Sequence, residues 1–284
     1  MWPRSGQHGT TLKPATVDPS PRERAITKFS ILGSGWLGLP LAAHFAAQGN
    51  GVKASTRTAD RFPEIQAAGA EPFLVDIGDS NSDVEAFLTS DILIVNITTK
   101  VLEDYRCLVD RIERCGPSRV LFVGSTSIYR DDTPVVTEDQ GLESSDSPFT
   151  AIEGLFRAST RFETTVLRFG GLIGYNRQPG RFFSAGRQVT QPEAPVNLIH
   201  RDDCLGIIDR IVARNAWGED FNACADTHPS KRAFYTYAAE SIGLPAPDFA
   251  GDGGQANKVI DNTKVKSRLD YDFLHGDLMG IPFG

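Results

Sequence analysis

The glycines of Phe29-Ser-Ile-Leu-Gly-Ser-Gly-Trp-Leu-Gly-Leu-Pro-Leu-Ala42 are spaced to hold a phosphate. A β-rich apolar run ends in Gly33, Gly35 and Gly38, a G-x-G-x-x-G layout, and passes into an Ala/Leu-rich helical pattern. In such a turn Gly33 allows the tight bend and Gly35 lets a pyrophosphate approach the backbone. Gly38 lets the helix lie close on the strand. Phosphates then meet the backbone around Trp36 and Leu37, at a helix N-terminus with partial positive charge. Three glycines alone also fit a turn that binds nothing. The preceding strand, the following helix and a second βα unit from Val52 onward favour a dinucleotide. A second set of reactive groups lies in Val123-Gly-Ser-Thr-Ser-Ile-Tyr-Arg130. Ser125, Thr126 and Ser127 fall at the carboxyl end of a buried strand, where open α/β sheets bind ligands. The same hydroxyls would equally cap the following turn.

The second strand, Val52 to Thr56, bears on cofactor choice. NAD-selective sites usually place an Asp or Glu near its end to hold the ribose 2′-hydroxyl. No carboxylate occurs between Gly38 and Ala59; Lys53, Ser55, Thr56, Arg57 and Thr58 stand there, with Arg61 one helical turn on. A guanidinium suits a 2′-phosphate because its planar fork takes two oxygens at once. NADP is therefore expected in preference to NAD, with Arg57 as its ligand; the plain alternative is that Arg57 solvates a loop. Asp76, at the end of the third strand, is expected on the adenine side. Asn96, at the end of the fourth, is expected beside the cofactor's middle.

These residues need a scaffold of alternating strands and helices. Strands are expected at Pro72 to Val75, Asp91 to Asn96, Arg119 to Gly124 and Thr164 to Phe169. The intervening helices are Val84 to Thr89, Val101 to Cys115 and Phe149 to Thr160. The alternation predicts an α/β, Rossmann-type doubly wound parallel sheet with a smaller C-terminal substrate lobe. Residues 131 to 147 are acidic and turn-rich and read as a mobile loop. Gly170 to Gln188, glycine-rich and carrying Arg177, Arg181 and Arg187, reads as a loop-rich segment over the cleft. Asn197 to Asp203 reads as a short strand feeding a helix capped by Asp202 or Asp203. Phe221 to Cys224 is another strand. Ser230 caps a helix through Ile242, and Lys258 to Asp261 with a helix from Asn262 to Leu269 closes the fold. The division is residues 1–27 as a flexible leader, 28–170 as the nucleotide-binding core, and 171–284 completing the core and forming the substrate lobe.

The bulk composition agrees. A chain of 284 residues that is 40% hydrophobic can bury a sizeable core. A net charge of −7 argues against nucleic acid as a partner. No apolar run approaches the ~18 residues that span a membrane. The leader has no apolar h-region, so it does not read as a secretory signal. Cys107, Cys115, Cys204 and Cys224 form no C-x-x-C and read as reduced core thiols of a cytoplasmic protein, with no metal site.

The motifs Gly33-Ser-Gly-Trp-Leu-Gly38, Ser125-Thr-Ser-Ile-Tyr129, Leu167-Arg-Phe-Gly-Gly-Leu-Ile-Gly174, Pro179-Gly-Arg-Phe-Phe183, Asn197-Leu-Ile-His200 and Phe221-Asn222 together mark a family. From Lys28 to Phe283 the chain resembles the extended short-chain dehydrogenase/reductases, the sugar-nucleotide epimerases and dehydratases. Within them it is most similar to the atypical YeeZ-like subgroup. The resemblance implies a Ser or Thr with a Tyr-x-x-x-Lys pair, whose Lys lowers the phenol's pKa while hydride moves to or from the cofactor. Ser125 fills the Ser position. Phe149 and Glu153 stand where the pair belongs: a phenyl ring moves no proton, and a carboxylate reverses the ammonium's charge. Tyr129 is then the candidate proton donor, His200, His228 and Tyr175 are weaker ones, and Glu153 is expected on a solvated helix face, the alternative being a base if desolvated. Thr126, Arg181, Asn197 and His200 are the expected substrate contacts. Val196 and Asn197 stand where the family's uridine-binding Arg precedes the Ile-His motif, so a small polar or sugar-like substrate fits better than a nucleotide sugar. Family members are often dimers, which makes a homodimer one expectation. Two functions follow: an NADP(H)-dependent oxidoreductase or epimerase, a dehydratase or isomerase with tightly held cofactor being its variant, or a non-catalytic NADP(H)-binding sensor.

Overall fold

The structure, a computed structural model, describes residues 26–79, 84–131, 133–183, 186–251 and 257–283; residues 1–25 of the expected leader lie outside the described residues. The first part of the chain runs β1 (Lys28–Leu32), α1 (Gly38–Ala47), β2 (Gly51–Thr56), α2 (Phe62–Ala67), β3 (Glu71–Leu74), α3 (Glu85–Leu88), β4 (Ile92–Val95) and α4 (Leu102–Cys115). It continues through β5 (Arg119–Ser125), the two-residue β6 (Val135–Val136), α5 (Pro148–Ala158) and β7 (Glu163–Phe169). Then come β8 (Gly171–Ile173), β9 (Leu198–His200), α6 (Arg201–Ala213), β10 (Asp220–Ala223), α7 (Lys231–Glu240), β11 (Val259–Ile260) and α8 (Thr263–Leu269).

Seven strands form one parallel sheet in the order β10-β7-β5-β4-β1-β2-β3. The α/β doubly wound architecture follows from the burial of both faces. In β4, Ile92 and Ile94 pack with Leu41 and Phe45 of α1 and Ile207 and Ile211 of α6. Leu93 and Val95 face the other way, onto Tyr105, Leu108 and Ile112 of α4 and Phe156 of α5. A strand covered on both faces reads as an unbroken apolar run, and Ile92-Leu-Ile-Val95 is one. α4 turns Tyr105, Leu108, Val109 and Ile112 inward at helical spacing and leaves its charges outside. Each fully buried Leu, Ile or Phe contributes roughly 1.5–3 kcal/mol. The strand order reverses between β1 and β4, and a crevice opens above the carboxyl ends of strands at such a point.

After β7 the chain does two things. β10, α6 and α8 extend the sheet and its first face. A separate apolar cluster gathers Ile173, Leu198, Phe234, Ala238, Leu278, Ile281 and Phe283 around the β8–β9 pair. Among the described residues no helix is long and apolar enough to cross a membrane.

Three local expectations are corrected. The acidic 131–147 stretch is tied down: β6 pairs in parallel with β11, Tyr129 bridges to Glu143, and the Asn222 N–H donates to Glu138 Oε1 at 2.7 Å. α6 is capped by His200, whose Nδ1 accepts the Asp202 N–H at 3.3 Å; Asp202 and Asp203 occupy its first turn instead. Of the four thiols only Cys204 and Cys224 are core residues, since Cys107 and Cys115 are exposed.

Candidate functional site

The glycine turn after β1 is built for close approach. Gly33 stands at φ +99°, and a Cβ on it would run into the Asn96 carbonyl. A Cβ on Gly38 would overlap the Gly33 carbonyl, so α1 starts against the turn that feeds it. Above Gly35 nothing lies within 4 Å of a Cβ position. Two glycines are thus crowded by the protein itself, and the middle one faces empty space. The Gly33 N–H donates to Ser55 Oγ at 2.8 Å and the Ser34 N–H to the Ser55 carbonyl at 3.0 Å, which fixes the turn on β2. The start of α1 has no side-chain cap and no acid in its first turn. An uncapped helix N-terminus of this kind favours an anion.

The turn opens into a cleft of about 860 Å³ at the strand-order reversal. Gly33, Gly35, Trp36, Leu37, Arg57, Asp76 and Asn96 all line it, and Gly38 lies directly behind Gly33. Asn96 Nδ2 donates to the Gly33 carbonyl at 3.3 Å and so holds the turn as well as lining the cleft. Arg57 is exposed at the end of β2. Arg61 reaches back to Ser34 Oγ at 3.4 Å while pairing with Glu64 at 2.7 Å. Asp76 Oδ1 accepts the Gly78 N–H at 3.1 Å. Thr98, Thr99, Asp104, Leu172 and Arg177 also face the cleft. A dinucleotide fits this donor set: backbone amides for phosphates, and hydroxyls and carboxylates for ribose and base.

The second group of expected residues is not in the cleft lining. Ser125 ends β5 half-buried, and its Oγ accepts the Ser127 N–H at 3.2 Å and bonds Ser127 Oγ at 2.9 Å. Thr126 is buried in the short turn that follows. Tyr129 is also buried; its hydroxyl donates to Asn222 Oδ1 at 2.8 Å and accepts from Arg168. Burial pushes the Tyr129 phenol up to about 12, against the pull of Arg168's charge. That hydroxyl is engaged inside the core. Asn197 is a strut: its Nδ2 donates to the Lys258 carbonyl at 2.8 Å and its Oδ1 accepts the Ile260 N–H at 2.9 Å. Arg181 lies on a short turn packed along α7, with its Nε on Gln178 Oε1 at 2.9 Å. His200, engaged as a cap, packs on His275 at 3.9 Å between ring centroids; burial, helped by His275, lowers its pKa.

At the Phe149 and Glu153 positions the molecule departs most from expectation. Glu153 is fully buried rather than solvated. Its Oε2 takes Arg168 NH2 at 2.7 Å and Arg157 NH2 at 2.9 Å. Arg168, itself fully buried on β7, also pairs with Glu143 at 2.8 Å. Burial pulls the Arg168 pKa down, but hydrogen bonds and charge from Glu153 outweigh it and the net shift is upward. Phe149 lies below Lys100, whose Nζ is 5.7 Å from the ring centroid. The lone arginine inside the apolar run Thr165-Val-Leu-Arg-Phe169 was the signal for this pair, because a cation buried in a central strand requires a buried anion.

The comparisons with known proteins agree with this geometry. No protein-family model matches the chain. Protein YeeZ of Escherichia coli is 29% identical over 272 residues, covering 90% of this chain and 98% of YeeZ. A short-chain dehydrogenase/reductase superfamily protein of Agrobacterium tumefaciens, solved with bound NAD, superposes with a TM-score of 0.71 at 20% identity, covering 89% of this chain and 94% of that one. MoeE5, solved with UDP-glucose and NAD, gives a TM-score of 0.73 at 17% identity, covering 90% of this chain and 97% of the other. The chain is thus a homologue of YeeZ and carries the fold shared by NAD-dependent epimerase/dehydratases and short-chain dehydrogenase/reductases.

Proposed function

We propose, from the premise that this chain is a YeeZ homologue on that fold, that its cleft holds a nicotinamide dinucleotide, NADP in preference to NAD. On this reading it is an oxidoreductase or epimerase of the atypical short-chain type, acting on a small polar or sugar-like substrate. The observation that carries it is the glycine turn, in which Gly33 and Gly38 are crowded by backbone while Gly35 faces open space. When bound, the cofactor supplies hydride transfer. The chain's own groups do the rest. Amides at the start of α1 grip the diphosphate. Arg57, with Arg61 beside it, neutralises the 2′-phosphate. Ser125 orients a substrate oxygen, the role the resemblance gives that position. Free thiols suit a reducing cytoplasm, and a homodimer is the assembly that the resemblance favours.

A second reading, a non-catalytic NADP(H) sensor, draws on one feature: position 153 is buried and committed to Arg168. Turnover of any carbonyl or sugar substrate, abolished by Ser125→Ala, excludes the sensor. The cofactor itself is tested by calorimetric titration with NADPH and NADH against wild type and Arg57→Ala. NADPH should bind more tightly, and the mutant should lose about tenfold for NADPH with little change for NADH. Binding of neither coenzyme to the wild type refutes the reading.

A further inference from the structure

Arg177 enters the cleft from beyond the nucleotide-binding strands. It closes a four-residue hairpin: the Gly174 N–H donates to the Arg177 carbonyl at 3.2 Å, and the Arg177 N–H to the Gly174 carbonyl at 3.0 Å. Gly174 stands at φ +108° with the His200 ring where a Cβ would be, and Tyr175 is held at φ +55°, a left-handed conformation costly for a bulky residue. What holds Tyr175 there is visible. Its hydroxyl donates to Asp202 Oδ1 at 2.7 Å, and the Arg201 guanidinium stacks 3.6 Å from its ring centroid. The next residue docks on the glycine turn, for Asn176 Oδ1 accepts Trp36 Nε1–H at 2.7 Å. Arg177 and Arg201 then flank the Trp36 ring, their guanidinia 5.3 and 5.1 Å from its centroid. Among the described residues no carboxylate lies within ion-pair distance of Arg177. Arg61 also reaches the turn, at Ser34 Oγ, but is paired with Glu64, and Arg201 donates to the Trp36 carbonyl at 3.4 Å from outside the cleft lining; Arg177 lines the cleft.

We infer that the Gly174–Arg177 hairpin is the outer wall of the phosphate site, and that Arg177 pairs with the diphosphate of the bound dinucleotide. The hairpin's strain and its four anchors are the means of placing over the turn's amides a guanidinium that no carboxylate among the described residues neutralises. This assignment rests on the reading of the cleft as a dinucleotide site.

Three probes separate the two claims: NADPH, ADP-ribose, which keeps the diphosphate, and adenosine 2′-monophosphate, which lacks it. Each is titrated against wild type, Arg177→Gln and Arg177→Lys, with thermal melting as a check on folding. Arg177→Gln should weaken NADPH and ADP-ribose about 10- to 100-fold, leave adenosine 2′-monophosphate within about twofold, and Arg177→Lys should recover part of the loss. Equal binding of all three probes by wild type and Arg177→Gln overturns the role of Arg177 and leaves the cleft reading standing. An equal loss of all three, with a lowered melting temperature, overturns it too, since Arg177 would then only brace Trp36. A wild type that binds none of the probes removes the cleft reading and this inference together.

Discussion

Glu153 and Arg168 are both inaccessible to solvent and meet through hydrogen bonds of 2.7–3.3 Å. Breaking such a pair from one side leaves a buried charge, which costs about 3–5 kcal/mol. Glu143 and Asp220, 2.8 and 3.6 Å from Arg168, soften the loss. Glu153→Gln should therefore lower unfolding stability by about 3 kcal/mol in urea titrations, and Glu153→Leu with Arg168→Met should regain most of it. If Glu153→Gln unfolds at the wild-type urea concentration, the pair carries no such role. A milder effect belongs to His228, whose Nδ1 meets the Val196 carbonyl at 3.0 Å and whose pKa burial lowers from the ordinary 6.5. A histidine that protonates less readily when folded lets the unfolded chain bind more protons, so stability falls as pH drops below about 6.5. Melting temperature should decline from pH 7 to pH 5, and the decline should be shallower in His228→Gln. Parallel pH curves for the two proteins would show that His228 does not contribute.

The glycine turn ties local geometry to function at the level of elements. In Gly35→Ala the added methyl meets open space, so melting temperature should stay within about 2 °C of wild type. The same methyl stands where a diphosphate needs the backbone bare, and NADPH affinity should fall by about tenfold or more. Gly38→Ala forces α1 off β1 and should fail to fold stably. If Gly35→Ala binds NADPH as well as wild type does, the turn is not the phosphate cradle. These elements were legible in the sequence because each is local: an apolar run for the strand, three glycines at set spacing, then helical periodicity. The same locality made β4 and α4 readable to within a residue or two. What escaped the sequence is paired across long distances. β6 and β11 are two residues each and pair across the chain, so neither carries a periodic signal of its own. Glu153 stands four residues after Phe149 and three before Phe156, on the apolar face of its own helix, and only the arginine of the neighbouring β7 explains a carboxylate there. The α6 cap was misplaced because histidine is an uncommon N-cap beside two aspartates.

Across the whole molecule, the second half of the chain is woven into the first rather than appended to it. β10 supplies the outermost strand beside β7, β11 pins the acidic stretch through β6, and Lys258 Nζ reaches the Tyr129 carbonyl at 2.9 Å. Of the seven strands of the main sheet β10 is made last. Until residues 220–223 have left the ribosome, the outer edge of β7 carries unpaired backbone groups beside an apolar surface. A rim of that kind invites pairing with other chains. The growing polypeptide is therefore most exposed to association during the fifty residues between its sixth and seventh sheet strands (Phe169 and Asp220), well after the nucleotide-binding turn has been synthesised.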